Sequence, residues 1–266
     1  MIYYLIGNKR INLTRKEVKR MLESEKRVKW WYDTYVTNVG GESDKQMKKD
    51  IHDFGSLTSE KLRQNLHVSV DSKMCVALFD HILEAITAYL KKQQDKSPSY
   101  YLMFLNKLMI GYSNPEENDD EKGGNFVIHM KQVPGTKKET FKSSFRDAEE
   151  IISEWSARNL QTDEESENLK IMDEARTFIK EELNIALGHH ELVYAIFINA
   201  YDALCECLQT KRQEHNVSDY YLNIAGWIDV HCTELEDGGD FIFFKMSPSM
   251  KQDMKSDLKS NKDEID

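Results

Sequence analysis

Two histidines in this chain are each followed, two positions on, by a hydroxyl residue: Leu66-His67-Val68-Ser69-Val70 and Val230-His231-Cys232-Thr233. Imidazole titrates near neutrality, so a pair of histidines can serve as proton donor and acceptor on either side of a scissile bond. A second group lies at the other chemical extreme. From Lys9 to Lys29 the chain carries Lys9, Arg10, Arg15, Lys16, Lys19, Arg20, Lys26, Arg27 and Lys29 against three glutamates, and then reaches Trp30-Trp31. At 100° per residue, Val18, Met21, Val28, Tyr32 and Val36 share one helix face, and Lys16, Arg20, Glu23, Arg27 and Trp30 share the opposite one. An outward Trp among cations is a signature of macromolecular contact, so Lys16, Arg20, Arg27 and Trp30 are the expected partner-binding residues. The competing reading is that Trp30 packs inward and the charges form a solvated face. Glu25 falls in the middle of the apolar face of that wheel.

The two His-x-Ser/Thr stretches resemble the paired motifs of the two-histidine phosphoesterases, in which each of two pseudo-symmetric lobes contributes one motif. That resemblance implies His67, Ser69, His231 and Thr233 as catalytic residues acting on a phosphodiester. The internal repeat described below argues against it, because the first-half equivalent of His231 falls near Tyr112 and not at His67. His52-Asp53 resembles the metal-binding dipeptide of the HD hydrolases, but that family needs an earlier histidine and none precedes His52. His189-His190-Glu191 follows Gly188 at a helix start, where adjacent side chains diverge and suit capping better than a metal. His81 and Glu84 sit three apart on an apolar helix, and Asn199 and Asp202 stand in their places in the second half. Such a pair suits a hydrogen bond inside the core. No nucleotide-binding glycine loop, zinc-protease helix or nucleophile elbow occurs, and no cofactor or metal is expected.

The elements that must position these groups repeat. One segment runs from Val76-Ala77-Leu78-Phe79 through Glu84-Ala85, Tyr100-Tyr101-Leu102 and Gly123-Gly124-Asn125-Phe126. Another runs from Tyr194-Ala195-Ile196-Phe197 through Asp202-Ala203, Tyr220-Tyr221-Leu222 and Gly238-Gly239-Asp240-Phe241. The three blocks keep offsets of 118, 120 and 115 residues. The expected fold is a helix-rich α+β protein of two tandem pseudo-symmetric units, 1–124 and 125–248, with a polar, disordered tail over 249–266. Each unit reads as a strand, several helices and a β-hairpin. Ile2 to Ile6 opens the first unit, and Phe126 to Met130 is shared between the two. Leu222 to Thr233 and Asp240 to Met246 read as two strands meeting at an acidic turn, with Tyr101 to Tyr112 and Asn125 to Lys131 as their counterparts. Thr14-x-x-Glu17 and Thr162-x-x-Glu165 have capping-box form, and Gly188 reads as the stop of the helix that the second one opens. The helices over 74–90 and 191–208 are apolar on most sides and should be central.

Composition sets the remaining bounds. With 40% apolar and 31% charged residues and only 4 Pro, the 266-residue chain is that of a folded, helix-leaning protein. No apolar run approaches the ~20 residues of a membrane-spanning helix, and the apolar Ile2 to Ile6 precedes the first basic residues, the reverse of a secretory signal, so a cytoplasmic location is expected. The four cysteines form no CxxC pair and read as reduced, structural thiols. The net charge of −10 is uneven: +2 over residues 1–122 and −12 over 123–266. That asymmetry suggests head-to-tail self-association into a homo-oligomer. The expected function is that of a non-enzymatic interaction protein, an adaptor, regulator or inhibitor of the kind a phage or mobile element can encode. Its foremost partner would be another protein. Nucleic-acid binding through the basic helix and the phosphoesterase are the alternatives.

Overall fold

The computed structural model describes residues 14–37, 45–94, 100–105, 108–111, 126–130, 148–160, 163–234 and 240–246, with Ile242 the one described side chain of the last segment. The expected strand at Ile2 to Ile6, the acidic loops, Thr162 and the tail lie outside these residues. Within them the chain is α+β. Three helices, α1 (Arg15–Tyr32), α2 (Lys45–Leu66) and α3 (Ser72–Gln94), precede strands β1 (Tyr101–Phe104), β2 (Leu108–Gly111) and β3 (Phe126–Met130). The same order then recurs: α4 (Ala148–Asn159), α5 (Asp163–Leu183), α6 (His190–His215), β4 (Asp219–Ile224), β5 (Ile228–Glu234) and β6 (Asp240–Met246). A π-helical turn, Asp33–Thr37, continues α1.

Helices α3 and α6 are central, as their all-round apolarity requires. Val76 through Phe79 and Leu192 through Phe197 are buried without interruption. Phe79 and Phe197, which are 118 residues apart, stack ring on ring where the helices meet (centroids 6.0 Å apart, planes 17° from parallel). Around this axis the packing follows one rule. α2 packs on α3 and on α6, and α5 packs on α6 and on α3; α1 touches α3 and α5, while α4 touches α6 and α2; α2 reaches β4, and α5 reaches β1. Every one of these contacts maps onto another when first-half elements are exchanged for second-half ones. Two side-chain bonds obey the same exchange: His81 Nδ1 meets the Ala77 carbonyl (2.7 Å), and Asn199 Nδ2 donates to the Ala195 carbonyl (2.8 Å). His81 and Asn199 are each bonded to their own helix, and Asn199 Oδ1 also accepts from Asn65 Nδ2 of α2 (2.7 Å).

The strands form an antiparallel sheet of order β3-β6-β5-β4 and a separate β1-β2 pair, with β2 running close to β3. The two hairpins have the same register, 120 residues apart. Tyr101 faces Gly111 as Tyr221 faces His231, and Phe104 faces Leu108 as Ile224 faces Ile228. Leu105 (φ 49°) and Ala225 (φ 54°) both begin the turn in the left-handed region. Here the sequence reading is corrected. Leu222 to Thr233 is not one strand but a complete hairpin, and Tyr101 to Tyr112 divides in the same way. In the second hairpin Gly226 (φ 75°) permits the turn, and its N–H donates to Asn223 Oδ1 (3.0 Å), closing an Asx turn.

One helix boundary also differs from expectation. α5 stops at Leu183, where Asn184 takes φ 55°, and not at Gly188. Glu165 is the second member of the Thr162-x-x-Glu165 capping box, whose Thr162 lies outside the described residues. Its carboxylate is buried and accepts from Leu105 N–H (2.8 Å), Asn168 Nδ2 (3.0 Å) and the Tyr194 hydroxyl, so it holds the β1-β2 turn against α5. On the other side Asp50, fully buried on α2, accepts from the Tyr220 hydroxyl (2.5 Å) and Gln46 Nε2 (2.9 Å) and lies 3.4 Å from Lys211 Nζ. Burial works against the Lys211 charge, but Asp53, Glu214 and Asp50 outweigh it and hold its pKa above the ordinary lysine range.

Candidate functional site

α1 begins as read. Thr14 Oγ1 accepts from Glu17 N–H (3.3 Å), and the Glu17 carboxylate accepts from Thr14 N–H (2.7 Å), a bond that holds its pKa below the usual carboxylate range. The buried stripe is Ser24, Val28, Trp31 and Tyr32, which turns the helix relative to the sequence wheel. Glu25 is consequently exposed and does not sit in the apolar seam. Arg27 is also redirected. Its Nη1 donates to the Glu181 (2.9 Å) and Glu182 (3.3 Å) carbonyls, and Ser24 Oγ donates to the Asn184 carbonyl (2.7 Å), so both satisfy carbonyls that the end of α5 leaves open.

What remains outward is a stripe at alternating four- and three-residue spacing: Arg15, Lys19, Leu22, Lys26 and Lys29, with Trp30 beside the last. Leu22 is 49% and Trp30 56% exposed, whereas the adjacent Trp31 is 3% exposed. Lys16 and Arg20 are exposed along one flank of this stripe. Trp30 therefore does not pack into the second half; its ring meets Tyr35 edge-on at 6.2 Å.

Tyr35 leads to the other candidate site. With Val36 and the first turns of α2, it walls a groove of about 520 Å³ whose opposite side is the β4-β5 hairpin. Strand alternation sends Leu222, Ile224, Val230 and Cys232 into the core and turns Tyr221, Asn223, Asp229 and His231 toward the groove. These four form cross-strand pairs. Tyr221 stacks on His231 (5.4 Å, 21°), and Asn223 Nδ2 donates to Asp229 Oδ1 (2.6 Å). Asp219 joins the same row: its carboxylate accepts from Thr233 Oγ1 (2.8 Å) and lies 3.4 Å from His231 Nδ1. Burial, with Asp80, Glu84 and Glu182 adding, pushes the Tyr35 phenol up to about 12.

His231 and Thr233 are thus adjacent, bridged by Asp219. His67 and Ser69 are elsewhere. Lys48 lines the groove with His231, and the 18 steps along α2 from Lys48 to Leu66 span about 27 Å at the helical rise. His67 follows Leu66 at φ 54°, and Val68 N–H returns to the Leu62 carbonyl (3.2 Å), so His67 turns the chain at the end of α2. His67 therefore follows the end of α2 remote from Lys48, which lines the groove with His231. Register places Gly111 opposite the role of His231, one residue before the sequence estimate of Tyr112.

No family model, curated protein or solved structure matches the chain. Two further carboxylates are held by partners. Asp80, buried on α3, accepts from Trp227 Nε1 (2.6 Å), and Asp53 pairs with Lys211 (3.0 Å). The four cysteines are buried and form no disulfide, and desolvation raises the Cys207 thiol to about 12 and raises the Cys75 and Cys205 thiols as well. Among the described residues no cluster of His, Cys, Asp and Glu could hold a metal ion, and no helix is long and apolar enough to cross a membrane. The sequence reading missed Tyr221, Asn223, Asp229 and Asp219 as a group. Its available signal was the turn dipeptide Ala225-Gly226 inside an apolar run, which splits the run and sets these residues on one face.

Proposed function

We propose that the protein is a non-enzymatic interaction protein that binds an acidic protein partner through the outward stripe of α1. The observation that carries this reading is Trp30, 56% exposed in a helix that fully buries the neighbouring Trp31 and surrounds Trp30 with lysines. A large aromatic left in water is costly unless something covers it, and Trp beside cations is the usual anchor of a contact surface. The partner-binding set is accordingly Lys16, Lys19, Arg20, Leu22, Lys26 and Trp30. Arg27 contributes to holding α5. A cytoplasmic setting suits four cysteines that form no disulfide. We read the chain as a duplication, supported by the exchanged packing and the matching hairpin registers.

The test is affinity capture by the full chain against a double variant, Trp30→Ala with Lys26→Glu. The reading expects a protein retained by the wild type, released as salt rises, and lost from the variant while circular dichroism stays unchanged. A nuclease-sensitive capture would replace the protein partner with nucleic acid. Capture unaffected by the variant would remove α1 from the account. Self-association through the same stripe is read by mass at high protein concentration and low salt, where a monomer would exclude it.

A further inference from the structure

We infer that the groove between Tyr35, α2 and the β4-β5 hairpin is a binding site for a guanine nucleotide, independent of the α1 stripe. The first hairpin lacks the polar row that faces this groove. β1-β2 has the same register and the same left-handed turn start, yet Met103, Met109 and Gly111 occupy the positions of Asn223, Asp229 and His231. The polar row is therefore not needed to form a hairpin of this geometry. A polar set that folding does not require, gathered on the wall of a groove, points to a ligand.

The chemistry of the row selects the ligand. The groove's volume of about 520 Å³ lies in the range of small-molecule sites. Tyr221, half exposed, offers a ring already fixed by its stack on His231, which is a shelf for a flat heterocycle. Asp229 is held by Asn223 Nδ2, and Asn223 is itself held by Gly226 N–H, so the carboxylate is set in place before any ligand arrives. A carboxylate accepts best from two adjacent N–H donors. Among the common bases guanine alone presents such a pair on its pairing edge, N1–H beside the N2 amino group. Lys48, with no carboxylate partner among the described residues, supplies a cation on the α2 wall for the phosphate. The same base and phosphate occur in a free nucleotide and in a single strand.

The experiment titrates the full chain with GMP, AMP, CMP and UMP, and with a short single strand containing one guanine, following the Tyr221 and His231 resonances. Saturable binding is expected for GMP with Kd on the order of 1 mM or tighter, and at least about tenfold weaker for AMP. Asp229→Asn, which keeps an acceptor for Asn223, should weaken GMP at least about tenfold, and Tyr221→Ala by a similar factor. Lys19→Glu, on α1 and outside the groove lining, should leave GMP binding unchanged, which separates this site from the α1 reading. Tighter binding of the single strand assigns the nucleotide to a polynucleotide, and equal or weaker binding assigns it to the free form. No saturable shift with GMP, equal binding of AMP, or GMP binding that survives both Asp229→Asn and Tyr221→Ala would overturn the inference.

Discussion

The two β-hairpins fold alike and differ in chemistry. Both turn at a left-handed non-glycine residue, both bury alternate residues against a central helix, and both expose a tyrosine at the same place, Tyr101 and Tyr221. One shows Met103, Met109 and Gly111 on its other face; the other shows Asn223, Asp229 and His231. The first helices of the two halves differ in a parallel way. α1 carries an exposed basic stripe ending at Trp30, while α4 buries its Trp155 against Tyr194 (5.7 Å) among Glu150 and Glu154. Shared features mark what the fold needs, and departures from them mark where binding is to be sought.

The comparison is broken most severely at its centre. Phe79→Ala and Phe197→Ala should each cost about 3 to 5 kcal/mol, with similar values because the rings occupy matching places, as read by denaturant unfolding. The buried polar sites should differ instead. Asp50→Ala strands the Tyr220 hydroxyl and removes one of the Lys211 partners, at about 2 to 4 kcal/mol. Asn168→Ala, its counterpart on α5, loses hydrogen bonds to the Met103 carbonyl and the Glu165 carboxylate but breaks no ion pair, and should cost about 1 to 3 kcal/mol.

A smaller asymmetry separates the α2–α3 and α5–α6 seams. A Cβ on Gly55 would lie 2.9 Å from Val76 Cγ2 and press on the Ser72 carbonyl, which is backbone and cannot swing away. Gly55→Ala should therefore destabilise by about 1 to 3 kcal/mol despite alanine's better helix propensity. Its counterpart Asp173 is paired with Arg176 at the surface, and Asp173→Ala should stay within about 0.5 kcal/mol.

Alkaline pH acts through the buried phenols. Burial raises the Tyr32 and Tyr35 phenols to about 12, above the ordinary value of 10. Between those values the unfolded chain has released these protons and the folded chain has not, so stability falls as pH rises from 10 to 12. Unfolding curves across that window, compared with Tyr35→Phe, measure the Tyr35 share. The smallest effect is expected at Trp30, where Trp30→Ala should change stability by less than about 0.5 kcal/mol while abolishing partner capture.

Much of this comparison is legible in the sequence. The Val-Ala-Leu-Phe and Tyr-Ala-Ile-Phe blocks predict two equivalent central helices, and their phenylalanines meet. The capping box at Thr14 is local chemistry and forms as written. What sequence pattern misses depends on tertiary placement. Glu165 has capping-box spacing, and that pattern says nothing of the Leu105 N–H and the Tyr194 hydroxyl from which its buried carboxylate accepts. Arg27 lies on the basic face of the wheel, but the open carbonyls of α5 lie within its reach. The hairpin turns went unread because Leu105 and Ala225 adopt positive φ without being glycine, and only Gly226 hints at a turn.

The account rests on α1 as the contact surface, and hydrogen exchange of the full chain with its captured partner bound tests this most directly. New protection over residues 15–30, with no change over α4 and β1-β2, is the predicted result. Protection of α4 or the first hairpin with α1 exchanging freely would contradict it.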